Sequence, residues 1–385
     1  MYSRFETALD AAVAGGRVAG AVALVADRDG VTYEAAAGLR KVGDAALMDP
    51  ATVFWLASMT KAVASVAALR EVEQGRLSLD GDLSALLPEF AGLQMLEGFE
   101  ADGAPRLRPA KRAPTLRQLL THTSGFGYGF LHGELTRWRE AAGAPDPMAG
   151  FRAGHAQPLL FEPGEQWAYG IGIDWAGLAV EAASGQRLDA YLAEHVFGPL
   201  GMVDTGFLPT PEQAARQASP HARGEDGRLA PIPFALPSAP EVWSGGGGLF
   251  GTARDYARFT RMLLNGGTLD GVRVLSPETV DQLGQVQTGP LRAGAFKDGV
   301  AMTLDFDLFP DQHTGWGLTG LINPEPSADG RGAGSLAWAG IFNTYYWVDR
   351  AAGLSGMLMT QQTPFGDPDV LGLLGALERD AYRVG

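Results

Sequence analysis

The chain contains no cysteine, which excludes disulfides, thiolate metal sites and a cysteine nucleophile and fits cytoplasm and periplasm equally. Histidine is scarce as well, with 6 in 385 residues. None has a histidine or carboxylate at ligand spacing on an evident helix, so no metal site is expected. Positive charge is in deficit: 30 lysines and arginines stand against 44 acidic residues, a formal charge of -14. Such a surface repels polyanions and argues against nucleic acid and anionic lipid as partners. The nearest thing to a basic patch, Arg106, Arg108, Lys111, Arg112 and Arg117, reads as a solvated loop; its functional alternative is a rim that attracts acidic substrates. No stretch reaches the roughly 20 apolar residues that cross a bilayer. The opening MYSRFETALDAAVAGG breaks its apolar run at Glu6 and Asp10 and lacks the basic start and continuous apolar core of a secretory signal. No membrane association is expected, and cytoplasmic residence is the default reading.

What is present suits a globular protein. Hydrophobic residues make up 46% and charged residues 19% of the chain, enough to bury a large core, while 53 glycines and 24 prolines point to many turns. Spaced apolar positions predict an amphipathic helix from residue 3 to about 14, ended by Gly15 and Gly16. Two strands follow, Ala21 to Ala26 and Val31 to Ala37, joined by a turn. A helix begins near Ser58 and stops at Gly75. Between about 80 and 230, short helical stretches at Leu116 to Leu120, Ile173 to Ala183 and Leu188 to Val196 are divided by Gly/Pro-rich loops, without long strands. Further helices are expected at Arg254 to Leu264 and Pro277 to Leu283. Strand character returns at Val300 to Leu308 and Gly315 to Ile322, and after a polar turn the runs Leu336 to Val348 and Ala352 to Thr360 predict an antiparallel hairpin. A last helix runs from Pro368 to about Tyr382. The expected fold class is α+β: an antiparallel sheet formed by both chain ends and flanked by helices, with a mostly helical inserted domain. The boundaries read as 1-80 with 235-385 for the sheet domain and 81-234 for the helical one. No pattern separates a monomer from a homo-oligomer.

The passage Phe54-Trp55-Leu56-Ala57-Ser58-Met59-Thr60-Lys61 says most about chemistry. Residues three apart on a helix share a face, so the Ser58 hydroxyl and the Lys61 amine can meet. A serine hydroxyl needs a neighbouring base before it attacks, and a lysine serves once burial lowers its pKa. At a helix start the Ser58 N–H is also free to face an oxyanion. Taken alone the spacing is weak, since an N-capping serine beside a surface lysine produces it too. No Gly-x-Ser-x-Gly elbow surrounds Ser58, and no Ser/Asp/His order stands out.

This passage resembles the nucleophile motif of the serine beta-lactamase and penicillin-binding proteins, and more closely that of the family VIII carboxylesterases of the beta-lactamase-like superfamily. The resemblance implies a catalytic tyrosine on the helical domain, matched by Tyr169 in Glu165-Gln166-Trp167-Ala168-Tyr169-Gly170. It helps move the proton toward the leaving group, with a pKa lowered by the lysine. The lactamase pattern has asparagine two residues later, where this chain has Ile171, which weakens an antibiotic-hydrolase reading. Asp174 matches an acidic residue common in the esterases and orders the site, or else sits on a helix surface or cap. A strand motif beside the nucleophile is matched by Trp338-Ala339-Gly340, followed by Ile341. The resemblance makes the Ile341 N–H the second oxyanion donor beside that of Ser58, and lets Gly340 bring the strand close to the acyl carbon. Trp338 replaces the lysine that would pair with a penicillin carboxylate, which favours uncharged esters. Ala339 stands where glycine is commoner and affects substrate placement.

Supporting passages resemble the family too. His122 in Leu120-Thr121-His122-Thr123-Ser124-Gly125 reads as structural, Tyr128 as pocket-facing or a loop anchor, and Gly245-Gly246-Gly247-Gly248 as a structural turn without the Lys-Ser/Thr end of a phosphate loop. Phe54, Trp55, Tyr128, Trp167, Trp243, Trp316 and Tyr345 are candidates for an apolar cleft, each equally readable as core. The function implied is a cofactor-free serine carboxylesterase that cleaves short-chain carboxylic esters, with a small-molecule ester as its partner and Ser58 as the acyl carrier. The alternatives are acyl transfer, amide or beta-lactam hydrolysis on the same scaffold, and a catalytically idle binding protein.

Overall fold

A computed structural model describes residues 2–296 and 302–383, and in it both chain ends build one seven-stranded antiparallel sheet. Its order is Gly315–Trp316, Leu321–Ile322, Leu336–Gly340, Thr344–Asp349, Leu354–Met359, Gly20–Ala26 and Val31–Gly38. This is the α+β arrangement read from the sequence. The strand Gly20–Ala26 has every residue buried because helices cover the sheet on both faces, which explains its unbroken apolar run. The helix Ser3–Ala14 turns Phe5, Leu9 and Ala12 inward, four and then three residues apart, and packs on the final helix Pro368–Ala381. Asp380 accepts hydrogen bonds from the Arg4 and Phe5 N–H groups at 3.1 and 3.0 Å. A carboxylate near the end of the chain thus satisfies free donors at the start of its first helix.

The helix Thr60–Glu73 is buried continuously from Thr60 to Leu69. Its alanines at 62, 64, 67 and 68 leave room for the helix Gly172–Ser184 to pack against it. Among the described residues, no helix is long and apolar enough to cross a membrane.

Several expectations change. The run Leu336 to Val348 is two strands reversed at residues 341–343, where Asn343 adopts a φ of 58°. Gly315 to Ile322 is likewise two short strands, because the Gly317 N–H bonds back to the Gly320 carbonyl at 2.8 Å and closes a turn. Of Val300 to Leu308, only Phe306–Asp307 forms a strand. It pairs with Ala295–Phe296 outside the main sheet, and Val300 and Ala301 lie outside the described residues. The helical region also holds a hairpin of Gln94–Phe99 and Pro105–Pro109, invisible beforehand because Pro-Arg-Leu-Arg-Pro needs its partner strand to become extended. Ion pairs within and around that hairpin neutralise part of the basic cluster. Arg108 pairs with Glu97 at 2.7 Å and Glu162 at 2.6 Å, and Arg117 with Asp80 at 2.7 Å.

Two buried side chains hold the turn at 341–343: Thr360 Oγ1 donates to the Phe342 and Asn343 carbonyls at 2.9 and 3.0 Å, and Asn343 reaches across to residues 345 and 362–367. Asn343 donates through Nδ2 to the Gln362 and Pro364 carbonyls, both at 2.8 Å. Its Oδ1 accepts from the Gly366 N–H, the Asp367 N–H and the Tyr345 hydroxyl at 3.0, 3.2 and 2.8 Å. Asn343→Ala leaves these buried groups unpaired and puts a Cβ-bearing residue without a local acceptor at positive φ, so it should lower unfolding free energy by about 3 kcal/mol or more. Urea denaturation checks this, and a loss under about 1 kcal/mol would mean that water substitutes for the amide. Asn343→Gly relieves the backbone cost alone and should recover only the smaller part.

Candidate active site

The segment before Ser58 is pinned from three directions. Phe54–Trp55 pairs with Phe250–Gly251, the Trp55 peptide exchanges hydrogen bonds with the Gln361 amide at 3.2 and 3.1 Å, and Trp55 Nε1 donates to the Gly247 carbonyl at 2.6 Å. The chain then reverses through Ala57 at a φ of 46°. A non-glycine residue in that region is uncommon and is held only by its surroundings. One tight turn, Ala57–Met59, precedes the α-helix at Thr60, so Ser58 lies just ahead of the helix expected to begin with it.

Lys61 has no exposed surface. Its Nζ lies 3.1 Å from Ser58 Oγ, 2.9 Å from the Tyr128 hydroxyl and 2.5 Å from the Gly246 carbonyl. Burial lowers its pKa from 10.5 to about 7, with Asp174 pulling the other way. The amine is therefore available as a base near neutral pH.

Tyr169 is 5% exposed, and its hydroxyl accepts from Trp338 Nε1 at 2.8 Å. Here the electrostatic expectation is reversed. Burial raises the phenol pKa well above its ordinary value, hydrogen bonds with Ser58 and Trp338 offset this only in part, and Asp174 adds to the rise. A neighbouring amine with a pKa of about 7 brings too little positive charge to outweigh burial. Tyr169 stays protonated and is a proton donor rather than a phenolate. His122, at a φ of 58°, braces the segment: its carbonyl accepts from Ala168 N–H at 2.9 Å and its Nδ1 from Gly170 N–H at 3.4 Å. Burial first, then Lys61, holds its imidazole neutral.

The strand Leu336–Gly340 passes close to the nucleophile turn, and this fixes residue 340. A Cβ there would lie 2.3 Å from Thr344 Oγ1 and 2.5 Å from the Leu56 carbonyl oxygen. Gly340 is therefore demanded by the protein's own neighbouring groups, a side chain and a backbone carbonyl. Beyond it comes the Ile341 N–H, which like that of Ser58 meets no acceptor among the described residues. Two such donors on one cleft can hold an oxyanion.

Ser58, Tyr169, Trp338, Ala339, Gly340 and Ile341 line one cleft, closed by Phe130, Leu131, Phe296, Thr303 and Phe365. Tyr128, read as pocket-facing or a loop anchor, and Asp174, read as ordering the site or on a helix surface or cap, both lie outside this lining. The Tyr128 hydroxyl points at Lys61, and Asp174, 3% exposed, lies under the glycine turn, accepting from Ser244 Oγ and Gly246 N–H at 2.6 and 2.9 Å. Of the aromatic candidates, Trp167 and Trp316 back the Tyr169 ring from behind, and Phe54, Trp55 and Tyr345 are core. Phe296 and Phe365 were missed because nothing local marks them; distant segments bring them to the cleft. Gly246 was marked by its glycine run, yet its carbonyl contact with Lys61 was not foreseen.

The sequence profile of the Beta-lactamase family matches residues 5–379. The chain is similar to a lovastatin esterase of Penicillium rubens, 34% identical over 402 aligned residues and 98% of each chain. It is also similar to a monacolin J acid methylbutanoyltransferase of Aspergillus terreus, 33% identical over 98% of this chain and 94% of that one. Unliganded simvastatin synthase from Aspergillus terreus matches the structure with a TM-score of 0.84 at 31% identity, covering 99% of this chain and 97% of the other.

The buried amine makes stability depend on pH in a definite direction. Between pH 7 and 10.5 the unfolded chain still binds a proton that folded Lys61 has released, so the native state gains stability as pH rises through that window. Lys61→Met removes this term. Its stability relative to the parent should be greatest at or below pH 7 and should decline toward pH 10.5. Chemical denaturation at pH 6, 8 and 10 reads the difference, and a constant offset would show that the amine is not depressed.

Proposed function

The chain belongs to the Beta-lactamase family, and from that premise we propose that it is a serine hydrolase of short-chain carboxylic esters, working through an acyl-enzyme on Ser58. The observation that carries the reading is the 3.1 Å approach of Ser58 Oγ to a fully buried lysine. In the first step Lys61 takes the Ser58 proton while Oγ forms a bond to the ester carbonyl carbon. The carbonyl oxygen becomes an oxyanion between the Ser58 and Ile341 N–H groups. As the tetrahedral intermediate collapses, the bond to the alcohol breaks and Tyr169 donates its proton to the departing oxygen. The proton on Lys61 then restores the phenol. Water, deprotonated by Lys61, attacks the acyl carbon, the bond to Ser58 Oγ breaks, and the proton on Lys61 returns to Oγ, releasing the acid and the free serine. The cleft favours uncharged esters: its described walls are aromatic or aliphatic apart from Ser58, Thr303 and the Tyr169 hydroxyl. Trp338, where a penicillin carboxylate would need a cation, disfavours lactam hydrolysis.

Acyl transfer is the second reading, and a specific observation favours it. A relative at 33% identity over nearly the whole chain is a methylbutanoyltransferase, and one at 34% is an esterase. The two reactions share the acyl-enzyme and differ in whether water or an alcohol reaches it.

Turnover of p-nitrophenyl acetate, butyrate and octanoate should be fastest with the shorter chains, and intact mass during turnover should show one acyl group on Ser58. Ser58→Ala should lower kcat/KM by at least about 10³-fold and abolish the adduct, and Tyr169→Phe by about 10²-fold. Undiminished turnover by Ser58→Ala would end the acyl-enzyme reading. Adding a hydrophobic alcohol in millimolar amounts separates the two readings: ester product rising at the expense of acid identifies a transferase.

A further inference from the structure

A neutral amine has two N–H bonds and one lone pair, and its three neighbours compete for them. The Gly246 carbonyl, 2.5 Å from Lys61 Nζ, can only accept, so it fixes one N–H. The Tyr128 and Ser58 hydroxyls, at 2.9 and 3.1 Å, can each donate or accept, and between them they take the second N–H and the lone pair. Of the three contacts only that to the Gly246 carbonyl has a fixed direction, so the amine stays oriented beside Ser58 Oγ only while that carbonyl keeps its place. Gly246 lies in a run of four glycines, Gly245 to Gly248, with no side chains of its own to hold the turn.

Trp55 Nε1 holds the Gly247 carbonyl, and Asp174 holds the Gly246 peptide. The aspartate stands in the first turn of the helix Gly172–Ser184, five residues beyond Tyr169, and its Oδ1 accepts from both Ser244 Oγ and Gly246 N–H at 2.6 and 2.9 Å. A Cβ on Gly246 would lie 2.4 Å from Asp174 Oδ2 and 2.9 Å from the Tyr128 hydroxyl, so this peptide fits between carboxylate and phenol only as glycine.

We propose that Asp174 is a positioning residue for the general base: it locks the Gly246 peptide, whose carbonyl fixes one N–H of Lys61 and so orients the amine beside Ser58. This rests on the acyl-enzyme reading. The carboxylate also acts through its charge. The titratable groups facing Lys61 are Tyr128 and Tyr169, kept protonated by burial, His122, kept neutral by burial, and Asp174. Among the described residues Asp174 is the charged member of that group, and it raises the affinity of Lys61 for its proton.

Two substitutions separate position from charge. Asp174→Asn keeps an acceptor oxygen and loses the charge. The acid limb of kcat/KM against pH should move about one unit lower than in the parent, while the plateau stays within a few-fold. Asp174→Ala loses both, and its plateau, together with the rate of Ser58 labelling by a fluorophosphonate, should fall by about 50-fold as the turn is released. Melting temperature is followed in parallel, because a purely structural role would lower it without moving the pH limb. An unmoved limb in Asp174→Asn, or an unchanged plateau in Asp174→Ala, overturns the proposal. Carbon-13 NMR of the Lys61 side chain in the parent and Asp174→Asn reads the same shift without substrate. A parent that neither labels nor turns over would count against the acyl-enzyme reading, while the NMR titration would still decide whether Asp174 governs Lys61.

Discussion

A lysine amine with no exposed surface and no carboxylate in contact cannot comfortably keep its charge, because removing an ammonium from water costs several kcal/mol even after the protein relaxes. Lys61 is in that position: its contacts are two hydroxyls and a carbonyl, none of which carries a full opposing charge. It resolves the conflict by giving up its proton near neutral pH. On the proposed reading the chemistry of the site depends on this, since Ser58 has no other base within reach among the described residues. The same burial keeps the Tyr169 phenol protonated, so one cause, exclusion of water, sorts the two groups into a base and an acid.

The fold serves to keep that amine dry and aimed. The helix that carries Lys61 is enclosed along ten residues, Thr60 to Leu69. The sheet built from both chain ends brings Gly340 and Ile341 against the turn that presents Ser58, and the lack of a Cβ at Gly340 sets how closely they approach. From the other side, Asp174 and the glycine turn close over the amine. Each support comes from a different part of the chain, and the Asp380 contact that ties the first helix to the last is part of what holds these parts in register.

An acyl-enzyme leaves open who receives the acyl group, and the relatives divide along that line: one is an esterase and another an acyltransferase, each over nearly the whole chain. In the proposed mechanism the groups that form the acyl-enzyme serve either outcome. The difference lies in whether the cleft holds an alcohol at the acyl carbon longer than it admits water. That is a property of its walls, Phe130, Leu131, Phe296 and Phe365, rather than of Ser58 or Lys61.

The sequence by itself determined what is local or carried by motif. The spacing of Ser58 and Lys61 put serine and amine on one side of a helix start, and apolar periodicity placed the first, second and last helices. The family resemblance pointed to Tyr169 and to the strand ending at Ile341. It did not show that Leu336 to Val348 reverses at Asn343, because that turn is held by Gln362, Pro364 and Gly366, about twenty residues away. Nor did it give the direction of the Tyr169 shift, the reason for Gly340 or the position of Asp174. Those were decided by tertiary structure. Desolvation depends on how much protein surrounds a group, and steric demand depends on which backbone passes nearby, and both are set by segments far apart in the chain.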